Sequence, residues 1–231
     1  MAAPEHIPPK ELREAVATDK LLTQTSNRLH EDLASHNNAD LLKTVSQIDV
    51  SNLGGVLGCY QGQFHKDLIT EIKADQTLSA EAQKTVLEQL NRKDTAEDFH
   101  QEPAKMFGAM RRAHVLGWLA QNSFMLQTDQ LAAETGAYDK LLGSEQDFHF
   151  PLIGQSSPKG QQLIQEGERM IATAESHVRD TLAGYSLDEY RAIDEISRNH
   201  GQSLMKSLAN NDKFSQATRS FISDLNQKSG L

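Results

Sequence analysis

The apolar residues of this chain recur with a period near 3.6 along almost its whole length, and sustained alternation of period two is missing. That rhythm leaves little room for strands. The expected fold is all-α: a single globular helical bundle of about seven to nine helices, with a C-terminal antiparallel helical hairpin. At 231 residues the chain is long enough for one well-buried core and short for two full-sized domains.

Pro8 and Pro9 lead into a first helix over about 10–35, faced by Leu12, Val16, Leu22, Leu29 and Leu33. A second helix follows Asn38. The third, about 52–73, keeps Leu53, Leu57, Tyr60, Phe64, Leu68 and Ile72 at helical spacing, yet contains Gly54, Gly55, Gly58 and Gly62. An interior glycine costs a helix about 1 kcal/mol relative to alanine. Gly54, Gly58 and Gly62 share a face, which predicts a groove for close approach of a neighbouring helix; a hinge or a backbone-lined ligand site is the functional alternative. A fourth helix, about 80–92, starts at Ser79.

The stretch from Ala104 to about Thr128 is the most apolar of the chain, with apolar groups all round the helix. Such a helix is expected at the buried centre, continuing or kinking near Gly136 to reach Leu142. Residues 143–157, GSEQDFHFPLIGQSS, form the one clear non-helical connection. They divide the chain into an N-terminal portion (1–142), a connecting loop (143–157) and C-terminal helices (158–231) of the same domain. Pro158 suits a first helical position. Gly184-Tyr185 makes a tight turn, and Ser186 with Glu189 spells a capping box. Helices over about 187–209 and 212–226 complete the count.

Several chemistries are excluded. A net charge of −9 disfavours nucleic acid and anionic membranes. No apolar run is long enough to cross a membrane, so membrane insertion is not expected. The single cysteine, Cys59, makes no intramolecular disulfide and reads as a small buried hydrophobe. The N-terminus has no signal-peptide pattern, which implies a cytoplasmic protein or one exported without a cleavable Sec-type signal. No metal site is expected: only Glu97 and His100 fit a Glu-x-x-His pair, and no HExxH motif or cysteine pair occurs. No cofactor is implied either. Ser156-Ser157-Pro158-Lys159 matches Ser-x-x-Lys, but the Lys-Ser-Gly element it would need is Lys228–Gly230, after a helix in a chain without a sheet.

Two groups of residues remain as candidates. Phe148, His149, Phe150, Leu152 and Ile153 put large apolar groups on a connection that belongs at the surface, which suits a partner-binding site; the alternative is a plug for the bundle end. His114, His177 and His200, with Trp118, fall on or near apolar faces and are candidates for a polar pocket inside the bundle. No catalytic constellation emerges, and enzymatic activity is left open. The leading expectation is a helical interaction module, an adaptor, inhibitor or translocated effector that binds a protein partner. The alternative is an enzyme or small-ligand sensor with a histidine-containing pocket.

Overall fold

The computed structural model describes residues 6–92, 103–136 and 158–231. Among them the fold is all-α, with no strand. Ten helices are present: α1 (Pro9–Ala34), α2 (Asn38–Gln47), α3 (Val50–Phe64), α4 (Leu68–Ala74), α5 (Ala80–Leu90), α6 (Pro103–Glu134), α7 (Pro158–Ala183), α8 (Leu187–Asn199), α9 (Leu204–Ala209) and α10 (Gln216–Ser229).

Helix starts follow the polar residues that precede them. Asn37, Asp49, Asp67, Ser79, Ser203 and Ser215 each accept a backbone N–H of the first turn that has no partner within the helix. Ser186 and Glu189 form the expected reciprocal capping box at α8. The count exceeds expectation because two long helices are broken. His65 adopts a left-handed conformation (φ 54°) that ends α3, and Asp67 restarts the chain as α4. Gly201 (φ 128°) turns the chain after α8, and Ser203 caps α9.

The chain divides into two units. One is Glu14–Leu116; the other joins Met1–Arg13 to Gly117–Leu231. The division falls inside α1 and α6. In the first unit, α5 packs on α2 and α4, and α3 meets α4. Leu29, Leu41, Val45, Val56, Tyr60, Ile72 and Val86 form the fully buried centre. The Arg92 guanidinium donates to the carbonyls of Val45 and Ile48 at the end of α2, both at 3.1 Å. In the second unit, α10 packs on α8, α9 and α7, around Tyr190, Ile193, Met205, Leu208, Phe214 and Ile222.

Two packing expectations are overturned. Gly54, Gly58 and Gly62 face open space, with nothing within 4 Å of where a Cβ would stand. Close approach occurs instead at Gly55, where a Cβ would lie 2.8 Å from Leu22 Cδ1. α6 is not buried all round. Val115, Leu119, Ser123, Leu126 and Ala133 are buried, but Phe107, Met110, Phe124 and Leu131 are exposed. Apolar groups on every side of a helix are a necessary mark of burial, not a sufficient one.

Candidate functional site

Among the described residues of the second unit, the last turns of α6 carry the most exposed large apolar side chains. Phe124 and Leu131, seven residues apart and so on one helical face, are 68% and 57% exposed. The buried residues Leu119, Ser123, Leu126 and Ala133 anchor the opposite side of the helix. Beside Leu131 lies a half-open cleft of about 400 Å³, lined also by Gln127, Gln130, Glu134, Ser197, His200, Gln202 and Leu204. The buried Leu204 gives it an apolar floor. Gln130 donates to Glu134 at 2.7 Å along the rim. In the first unit, Phe107 (65%) and Met110 (62%) are similarly exposed.

Of the four residues expected to share a pocket, the three histidines are exposed. His114 is exposed on α6 and belongs to the first unit. In the second unit, Trp118 is half-buried and meets the Tyr185 ring edge-on, with centroids 5.8 Å apart. The Tyr185 hydroxyl donates to Asn122 at 2.5 Å. His177 is exposed, and its Nδ1 lies 2.7 Å from Asp129 Oδ2. His200 is the exposed C-cap of α8 and lines the cleft beside Leu131. The reason is positional. The buried stripe of α7 runs through Ala174, Val178 and Leu182, and His177 stands at its flank. His200 closes its helix and has no helical face to share. Phe148, His149, Phe150, Leu152 and Ile153 lie outside the described residues, as does any continuation of α6 to Leu142.

Sequence reasoning missed a histidine cluster in the first unit. His30 on α1 stacks on Phe64, with centroids 3.9 Å apart and planes at 14°. Its Nδ1 is 3.3 Å from the hydroxyl of the fully buried Tyr60. Tyr60 donates to Glu71 Oε2 at 2.5 Å, and Lys66 pairs with Glu71 Oε1 at 2.7 Å. With the phenol proton committed to Glu71, the His30 contact is one in which Nδ1–H donates. Burial, then the hydrogen bond to Glu71 and its charge, push the Tyr60 phenol above the ordinary tyrosine range. Burial pushes the Glu71 carboxyl up, but the hydrogen bonds from Lys66 and Tyr60 outweigh it and hold the group below its usual value. His30, Tyr60, Lys66 and Glu71, with Leu33, Ala34 and Asp75, line a cavity of about 190 Å³. The only sequence signal was the spacing of Tyr60 and Phe64, which also marks an ordinary core.

Cys59 is half-buried; burial and then the charge of Asp19 push its thiol up, so the thiolate is disfavoured. Among the described residues no group of three or more His, Cys, Asp or Glu side chains is placed to hold a metal ion. No helix among them is long and apolar enough to cross a membrane. Comparison with known protein families, with curated proteins and with solved structures finds no match.

Proposed function

We propose that the protein acts as a helical interaction module, binding a protein partner through the exposed face of α6 in the second unit. The observation that carries this reading is the pair Phe124 and Leu131, both more than half exposed on one face of a helix whose other face is anchored. Large apolar groups kept in water on an ordered helix are the usual substrate for helix-in-groove recognition. The partner this surface suits is an amphipathic helix. Its apolar residues would cover Phe124 and Leu131, and its polar edge would meet Gln127, Gln130 and His200.

The test is native mass spectrometry of the protein isolated from its own cells, beside the double variant Phe124→Ser/Leu131→Ser. A polypeptide that accompanies the wild type and is absent from the variant, with helical circular dichroism unchanged, is the supporting result. A partner retained by the folded variant would refute this surface.

A second reading, a small-ligand sensor or enzyme with a histidine pocket, is favoured by the His30–Tyr60–Glu71 arrangement around its cavity. His30→Ala would abolish ligand binding there, and NMR titration of the imidazole with candidate ligands would detect it.

A further inference from the structure

The first unit contains a second cleft that neither reading uses. It measures about 390 Å³ and lies among α1, α2 and α3, within the size range of small-molecule sites. Its floor is apolar, made by the buried Leu22, Ile48 and Val56, with Leu21 at 51% exposure beside them. The polar lining includes Gln24, Arg28, Gln47 and Asn52.

The two opposite charges around this floor differ in how they are engaged. Arg28 and Asp49 are the two charged residues that line it. Asp49 is engaged in capping α3: its Oδ1 accepts from the backbone N–H and the hydroxyl of Ser51, at 2.8 and 2.5 Å. Arg28 has no hydrogen-bond or ion-pair partner among the described residues, and the side-chain amides of Gln24, Gln47 and Asn52 have none either. Thr44, also in the lining, gives its hydroxyl proton to Asp32 at 2.8 Å. The cleft therefore offers an apolar bed, one uncommitted guanidinium and three uncommitted amides. A guanidinium is the side chain best matched to a carboxylate, which it binds through two parallel N–H donors.

We propose that the α1–α2–α3 cleft binds a small amphiphilic carboxylate, with its apolar tail on Leu22, Ile48 and Val56 and its anionic head at Arg28. The head accepts from the guanidinium and from the amide donors at the rim. A cationic head meets Arg28 with like charge, and a neutral head gives up the charge-assisted bond.

The test uses three probes with one tail: octanoate, octan-1-ol and octylammonium. Each is titrated below its aggregation limit into the ¹⁵N-labelled full chain. Octanoate is expected to shift the amides of Leu22, Ile48 and Val56 saturably, with octan-1-ol weaker and octylammonium inert. Arg28→Gln should weaken octanoate binding about tenfold. Leu21→Glu, at an exposed position, should abolish it without disturbing the fold. Equal binding of all three heads, an unchanged affinity in Arg28→Gln, shifts centred elsewhere, or shifts that never saturate would each overturn the proposal.

Discussion

Gly54, Gly58 and Gly62 stand on a face of α3 where an added methyl group meets nothing within 4 Å. Glycine in a helix interior is about 1 kcal/mol worse than alanine, because it loses more backbone freedom on folding. With no packing to oppose the change, each Gly→Ala substitution should stabilise the first unit by about 1 kcal/mol. Gly62 should give less, since it lies in the last turn of α3. The triple variant should gain about 2–3 kcal/mol. For a chain of this size that corresponds to a midpoint shift of about 4–12 °C. The assays are thermal unfolding, which reads that midpoint, and urea unfolding, both followed by circular dichroism at 222 nm, with the urea slope compared to confirm that the denatured state is unchanged. Gly55→Ala is the internal control. Its methyl group would press on Leu22 at 2.8 Å, and overpacking of about 1–3 kcal/mol cancels or reverses the same propensity gain. A triple variant that is destabilised would refute the reasoning and show that the glycine face is itself a contact surface.

Glu189 accepts from Ile7 N–H at 2.9 Å, from His6 at 2.8 Å, and from the backbone N–H and hydroxyl of Ser186. Burial pushes its carboxyl up, but these hydrogen bonds outweigh it, so the folded value lies below the ordinary one. Its contribution is therefore present above the unfolded pKa and lost as pH falls through the folded one; unfolding of wild type and Glu189→Gln from pH 7 to pH 3 should show the variant with the shallower acid loss. Burial, followed by nearby carboxylates, raises the phenols of Tyr60, Tyr185 and Tyr190 above the ordinary range. The unfolded chain then releases those protons first, so stability should fall as pH rises past about 10, and absorbance at 295 nm should show these tyrosines ionising only with unfolding. The buried Asp194 accepts from Ser203 Oγ and Met205 N–H and pairs with Arg198. Asp194→Ala should cost about 2–4 kcal/mol, measured by chemical denaturation, and a loss within 0.5 kcal/mol would show that this network is dispensable.

The helical character and most of the helix starts were legible, because both are written locally. The Ser186–Glu189 box needs only its own four residues. The break at His65 was not legible from the apolar spacing, since Leu53 to Ile72 keeps its rhythm across the interruption. The asparagine–histidine–glycine run at 199–201 carried a stop signal that the apolar spacing of the following helix concealed. The candidate sites were less legible still. His114, His177 and His200 look alike in sequence, and only the structure shows that all three are exposed, His200 as the cap that closes its helix. Phe124 and Leu131 are indistinguishable from core residues until the opposite face of α6 is seen to be the buried one. His30 becomes chemically interesting only when Tyr60, 30 residues on, and Glu71 are brought beside it.

The two units also differ in how they are threaded. Glu14–Leu116 is one uninterrupted stretch, whereas the other unit joins a segment that precedes it to a segment that follows it. The hydrogen bond from Ile7 to Glu189 spans 182 residues. A chain made from its N-terminus on a ribosome holds every residue of the first unit long before Glu189 exists. The first unit can thus mature during synthesis, while residues 6–13 wait for the carboxylate that will hold them. Non-local closure of this kind is entropically slow. The structure therefore sets an order of events: a continuous unit that folds early, interposed in sequence within one that can be completed only once Glu189 has been made.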